Sequence, residues 1–418
     1  MVAFKDPHFR PNVQAAGIAK PAPSCSTSLF VDEGIMPFAK PVVKKAQVSI
    51  KALKYPNMPS IMPKKVIQVE ENGHIYEEGI ELKDARFGKV HRIYRLQRVE
   101  VEGRNEEVYM RSEEKLAVKK LHKRSILYNR EKAENPLHEI AALQLLASVS
   151  PSAPYVDCFA DSDTIYLITP YYNSGDLLDL IFYKQNLSQS FSIFEMKEMF
   201  TQLVHQLLRL HSMGIVHRDL SLENILYDKD TKQYTIIDYG MSLRLKDEIA
   251  GDDSDAMAAS NEEKESSILV DSDESTTTST SASFTSSMYD RFSRLSNYVI
   301  CGKQHYIAPE IWEHRRDLEL MYSDVWSLGV IFFMVMMFQA PFASAKTSDV
   351  NYNFFLHHNQ SLDELIMQLN GDESIYATKP AEEHKQYEQL IDLMGHMLKP
   401  NHHERFTIEE VFQHTFFQ

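Results

Sequence analysis

The sequence predicts an α+β fold in two lobes, a small one built on an antiparallel sheet with one helix, and a larger one built of helices. Three observations carry this. From about Ile75 to Leu121 the chain shows alternating and β-branched patterns broken by Gly79, Gly88 and Gly103, as strands joined by turns do. Helical spacing follows at Leu137, Ile140, Ala141, Leu145 and Leu146. After Pro170 long helical patterns dominate, Phe194 to Leu210 among them.

Within the first lobe, Ile93-Tyr94-Arg95-Leu96 and Val99-Glu100-Val101 fit strands, with a turn at Glu102-Gly103-Arg104-Asn105. A chain of 418 residues exceeds one ordinary domain, and 43% apolar content supplies a full core. Cys25, Cys158 and Cys301 show no paired spacing, which argues against a disulfide framework or a zinc site. The N-terminus lacks the compact apolar run of a secretory signal. The longest apolar stretch, Val325 to Phe338, includes Ser327 and Gly329 and falls short of the roughly 20 residues a membrane span needs. It reads as a buried core helix. The expectation is a soluble intracellular protein, cytoplasmic or nuclear or both, with no membrane span and no nucleic-acid partner.

The net charge of −15 conceals an asymmetry: residues 1–65 carry +7 and residues 246–290 carry −10. Pro21, Pro23, Pro37, Pro41, Pro56, Pro59 and Pro63 interrupt regular structure near the start. Residues 1–70 therefore read as a basic, Pro-rich disordered tail, 75–168 as the small lobe and 169–418 as the large one. Residues 247–290, acidic and rich in Ser and Thr, hold few core-forming side chains and read as a disordered insertion. The two charge blocks also allow a mutual attraction that would mask the site.

The densest chemistry lies in His217-Arg218-Asp219-Leu220-Ser221-Leu222-Glu223-Asn224, followed by Asp238-Tyr239-Gly240 after the β-branched run Thr235-Ile236-Ile237. Asp219 suits orienting and deprotonating a hydroxyl nucleophile. Asn224 and Asp238 suit Mg²⁺, a hard ion that takes few protein oxygens when phosphate oxygens complete its shell.

With these strings in view, the chain resembles the eukaryotic protein kinase family, serine/threonine type, over about Ile80 to Phe417. The resemblance implies the bilobal kinase fold, ATP and Mg²⁺, and protein substrates. It casts Leu116-Ala117-Val118-Lys119 as a small-lobe strand, with Lys119 gripping nucleotide phosphates and Glu139 as its partner; Lys120 is the competitor for the role. It places the nucleotide among Ala85, Phe87, Gly88, Val90, Ala117, Thr169, Tyr172, Asp176 and Leu226, with Thr169 as gatekeeper, Tyr172 offering backbone groups to adenine and Asp176 facing a ribose hydroxyl. Ala308-Pro309-Glu310 with Arg405, and Asp324, match its structural anchors.

Three departures stand out. Of the three glycines that let backbone approach phosphates, Lys83 and Ala85 occupy the first two places and only Gly88 remains. Ser221 stands where the family carries a lysine, and Lys303 where it carries a threonine, which suggests a reciprocal swap. Tyr239 replaces the usual Phe and brings a hydroxyl that needs a partner. Arg218 implies capture of an activating phosphate placed by an upstream kinase, with Ser293 and Ser296 as candidates. The alternative to a protein kinase is a pseudokinase scaffold without turnover, to which the lost glycines and Ser221 point.

Overall fold

The computed structural model describes residues 35–36, 38–56, 62–100, 107–129, 134–245, 300–315, 319–371 and 380–418. The expected insertion at 247–290, Ser293 and Ser296 lie outside these. Gly34–Gln418 forms one compact unit.

The first departure from expectation is a gain of structure in the supposed tail. After a short strand β1 (Ile35–Met36), residues 44–69 form a hairpin of β2 (Lys44–Leu53) and β3 (Met62–Val69), in register from Ala46–Val69 to Leu53–Met62. β4 (Ile75–Ala85), β5 (Gly88–Val99), β6 (Val108–Arg111) and β7 (Leu116–His122) follow, then β8 (Asp157–Ala160) and β9 (Thr164–Pro170). β2 pairs with β8, β3 with β4, and β4 in turn with β5, so the order β4-β3-β2-β8-β9-β7-β5 closes on itself. The small lobe is thus a seven-stranded barrel, with β6 continuing along β5.

The barrel interior takes one or more side chains from each of the seven strands: Ala46, Ile67, Val69, Tyr76, Ile93, Leu116, Val118, Phe159, Tyr166 and Ile168. Tyr76, Phe159 and Tyr166 stack in a column with centroids 5.5 Å apart at each step. The tail expectation for 1–70 is therefore corrected from Lys44 onward. Its prolines misled because Pro56 sits in the turn and Pro63 at the start of β3, places where a strand tolerates a missing N–H. Its lysines misled because they are paired: Lys44 with Asp157 at 2.8 Å, Lys65 with Glu78 at 2.9 Å, and Lys64 with Glu77 at 3.6 Å.

Among the described residues two helices, one more than expected, complete this lobe, α1 (Lys123–Tyr128) and α2 (Pro136–Val149). Asn135 caps α2 by accepting from the Leu137 N–H, and Pro136 occupies the first turn, where its missing N–H costs nothing.

The large lobe holds α3 (Leu177–Asn186), α4 (Ile193–Ser212), α5 (Pro309–Trp312), α6 (Leu320–Met337), α7 (Val350–His357), α8 (Leu362–Leu369), α9 (His384–Met397) and α10 (Ile408–Gln413). Ser192 starts α4 with a reciprocal cap to Glu195. α6 has the length and apolarity of a membrane span, yet Ser323 through Phe333 are all buried inside the lobe, as befits a core helix. Phe200 of α4 and Phe332 of α6 stack at 3.6 Å. Short strands β10 (Ile215–Val216), β11 (Ile225–Asp228), β12 (Gln233–Ile236) and β13 (Leu243–Leu245) frame the loops between the lobes.

Candidate active site

Strand periodicity sets the upper wall. Leu116 and Val118 point into the barrel, so Ala117 and Lys119 point out of it on the other face. Val90 lies opposite Lys119, and Thr169 opposite Ala117, which places all four on one face. Leu226 is bridged to Asp176 from the large lobe. Asp176 caps α3 by accepting from the Asp179 N–H at 2.9 Å, and burial raises its carboxyl above the ordinary range. Tyr172 follows in the connection after β9, half-buried.

The glycine-poor loop is a tight turn of Arg86 and Phe87 between Ala85 and Gly88. A Cβ at Gly88 would collide with the Lys120 carbonyl, so strand packing alone requires this glycine. Phe87 corrects the expectation of a nucleotide contact: it is buried in the core cluster, and its carbonyl accepts from the His122 N–H at 2.9 Å. The exposed Arg86 instead reaches across to Glu134, just before α2, with Nη1 2.6 Å from Oε2. Sequence reading missed this pair, because nothing in the spacing of two residues 48 apart signals contact.

Lys119 Nζ lies 2.7 Å from Glu139 Oε2 and 3.6 Å from Asp238 Oδ1. Lys120 takes no part; it pairs with Glu78 at 2.9 Å on the barrel's opposite face. Burial opposes the charge on Lys119, but Asp238 and Glu139 outweigh it and hold the ammonium protonated far above its usual range. Burial pushes Glu139 up to about 7 despite its partner. Asp238 is held below the ordinary carboxylate range, chiefly by Lys119. The Asn135 N–H donates to the Gly240 carbonyl at 2.7 Å, which ties the start of α2 to the residues after Asp238.

The lower wall is the loop after β10. Buried Asp324 on α6 accepts from the backbone N–H groups of His217 at 2.7 Å and Arg218 at 2.8 Å, and meets His211 Nε2 at 3.1 Å. These bonds hold Arg218 at φ 68°, a left-handed conformation unfavourable for a side chain of its size. His217 Nε2 meets the Ile237 carbonyl at 3.1 Å, and its Nδ1 accepts from the Asp219 N–H at 3.3 Å. Asp219 Oδ2 accepts from Asn224 Nδ2 at 2.9 Å, whereas Oδ1 is buried without a hydrogen-bond partner. Burial raises the Asp219 carboxyl, against the pull of Lys303. A carboxylate oxygen without a donor, beside Lys303 and Asn224, suits an incoming hydroxyl.

The same bond turns the Asn224 amide nitrogen toward Asp219, with a second contact to the Asp219 carbonyl at 2.8 Å. Its oxygen is thereby left for another ligand, and with the Asp238 carboxylate it makes a hard-oxygen pair that fits Mg²⁺. The Tyr239 hydroxyl finds its partner in the Ile236 carbonyl at 3.1 Å.

Lys303 Nζ stands 2.6 Å from Ser221 Oγ, and 3.9 Å from both Asp219 Oδ2 and Glu223 Oε2. Gly302 precedes it at φ 93°, where a Cβ would come within 2.9 Å of the Arg218 carbonyl. Glu310 and Arg405, both buried, pair in a fork at 2.7 and 2.9 Å.

A family model described as "Protein kinase domain" matches residues 102–260 and 280–417. The chain belongs to that family, and with the barrel lobe and helical lobe described above it has the bilobal α+β kinase fold. Its curated relatives include proteins named as serine/threonine kinases. Among them, "Serine/threonine-protein kinase cds1" of Schizosaccharomyces pombe is 24% identical over 62% of this chain and 43% of its own length. "Mitosis inducer protein kinase cdr1" of the same yeast is 28% identical over 66% of this chain and 35% of its own. "Serine/threonine-protein kinase PLK4" of Drosophila virilis is 25% identical over 73% and 30%. The chain therefore spans less than half the length of these relatives.

Proposed function

We propose that the chain is an active protein kinase that transfers the γ-phosphoryl of Mg-ATP to serine or threonine hydroxyls of protein substrates. The observation that carries this is the convergence of Lys119, Glu139, Asp238, Asn224 and Asp219, with the Asp219 Oδ1 left unsatisfied. A scaffold without turnover has no use for a buried carboxylate lacking a donor, since such a group costs stability.

In this reading Asp219 accepts the hydroxyl proton as the nucleophile's oxygen forms its bond to phosphorus and the bond to the leaving diphosphate oxygen breaks. Lys119, steadied by Glu139, faces the nucleotide phosphates, and Lys303 faces the transferred group. Asn224 and Asp238 would hold Mg²⁺, which neutralises charge developing on the phosphate oxygens when bound. Val90, Ala117, Thr169 and Leu226 would flank adenine. The serine/threonine acceptor rests on the relatives' names. An upstream kinase acting through Arg218 belongs to the same reading; its guanidinium reaches the Met241 carbonyl at 3.4 Å, three residues past Asp238.

The test is transfer of labelled γ-phosphate from Mg-ATP by purified protein, with modified residues mapped by mass spectrometry. Transfer to Ser or Thr that is lost in Asp219→Asn is the expected result. Nucleotide-dependent thermal stabilisation with no transfer would favour the scaffold.

A pH dependence follows from Glu139. Its raised value means that the carboxylate is lost as pH falls through about 7, and with it the anchor that holds Lys119. The free enzyme's kcat/KM is expected to decline below pH about 7. In Glu139→Gln activity is low but this acid limb disappears; an unchanged limb would assign it to another group.

A further inference from the structure

We propose that residues 35–36 and 38–44 act as a strap that holds α2, and with it Glu139, against Lys119, with Phe38 and Gln144 as the positioning residues. This rests on the kinase reading above for its consequence, though not for its geometry.

Helix α2 is unusual for a helix beside a sheet. Pro136 to Leu143 are buried without interruption, and Glu139 and His138 are among them. A helix packed on one side only would show a polar stripe, so a second element must cover the other faces. Part of that cover comes from residues N-terminal to the barrel.

The strap is anchored at both ends to elements other than α2. At one end β1 pairs with β13, Ile35 opposite Leu245 and Met36 opposite Arg244, only a few residues past Asp238. At the other end Lys44 binds buried Asp157 at 2.8 Å and leads into β2, which pairs with β8. Between these anchors the chain engages α2 twice. Phe38, 3% exposed, sits with its ring 5.5 Å from that of His138, the residue preceding Glu139. Further along, the Val42 N–H donates to Gln144 Oε1 at 2.9 Å, and Gln144 Nε2 donates to the Val42 carbonyl at 2.6 Å. The glutamine amide thus serves the Val42 backbone as a neighbouring strand would.

The consequence is mechanical. Helix α2 cannot swing away from Lys119 without unseating Phe38 and breaking the Val42–Gln144 bonds, or without pulling β1 from β13. Because β13 follows Asp238 closely, one segment fixes the elements bearing both acidic partners of Lys119. The Lys119–Glu139 pair is thereby held by a segment of the chain that precedes the barrel.

The test uses the full chain carrying Phe38→Ala, Gln144→Ala or Phe38→Leu, with backbone hydrogen exchange and phosphoryl transfer read in parallel. Phe38→Ala and Gln144→Ala are expected to speed exchange in residues 136–149 by about tenfold or more while α6 stays protected. Transfer is expected to lose roughly tenfold in kcat with little change in the KM for ATP, as an interaction needed only in the transition state would. Phe38→Leu, which restores apolar bulk, is expected to recover both. Unchanged exchange in 136–149 in both alanine variants would overturn the strap, and so would acceleration spread evenly through α6 and the barrel. If the wild-type protein transfers no phosphate yet α2 exchange still depends on Phe38, the strap stands and the kinase reading falls.

Discussion

Lys303→Met is expected to slow γ-phosphoryl transfer by about 10²–10³-fold, the usual cost of removing one preorganised charge from a transition state. Its Nζ lies 2.6 Å from Ser221 Oγ and 3.9 Å from Asp219 Oδ2, so it reaches the loop from the opposite wall. The decisive variant is the double exchange Ser221→Lys with Lys303→Thr, which moves the ammonium to the catalytic loop and the hydroxyl to the facing segment. It is expected to recover most of the lost rate, because the position of a charge matters to developing phosphate charge and its point of attachment does not. Ser221→Lys alone crowds two cations at one spot and is expected to perform worse than the double variant. Steady-state kinetics of the wild type, Ser221→Lys, Lys303→Thr and the double variant give the coupling directly. Full turnover in Lys303→Met would make this lysine a bystander.

The largest loss of stability is expected at Glu310. Arg405 is fully buried, forks onto both Glu310 oxygens, and donates further to the carbonyls of Tyr322 at 2.8 Å and Lys399 at 3.0 Å. Its guanidinium also lies 5.0 Å from the Trp326 ring. Glu310→Ala removes the counter-charge and leaves a cation that can neither reach water nor deprotonate. A cost of about 3–5 kcal/mol is expected, which lowers the melting temperature by roughly 6–20 °C for a lobe of this size. Removing both charges, as in Glu310→Leu with Arg405→Met, is expected to cost less than removing one, since no charge is stranded. Thermal unfolding of the three variants checks the order; equal losses would show that packing rather than charge dominates.

The parts of this molecule that were legible in the sequence are those written in short strings. Asp219 and Asn224 lie five residues apart and Asp238 follows one hairpin later, so a local reading finds them without knowing the fold. Lys119 was separable from Lys120 because choosing it sets Ala117 in the family's pattern, and the structure gives each its own glutamate. Long helices were equally plain: α4 and α6 announce themselves through apolar spacing and length. What escaped was carried by contacts between distant residues. Arg86 and Glu134 are a pair of charges among many, and Gln144 looks like any surface amide until Val42 arrives beside it. The hairpin at 44–69 escaped for another reason. Proline and lysine are read as signs of a solvated segment, but the prolines sit at a turn and a strand end, and the lysines face acidic residues on neighbouring strands. Composition summed over 70 residues hid a change of character at Lys44.

That hairpin bears on where this protein can be cut. Sequence pattern invites a boundary near Ile75, where the strand signals strengthen. A fragment begun there would lack β2 and β3, leaving β4 and β8 as two open edges with unpaired backbone groups and baring the Tyr76–Phe159–Tyr166 column to water. Such edges recruit strands from other molecules, and the fragment would aggregate for want of its own hairpin. The smallest piece that keeps its cylinder closed begins before Lys44, and one that also keeps its grip on α2 begins before Ile35.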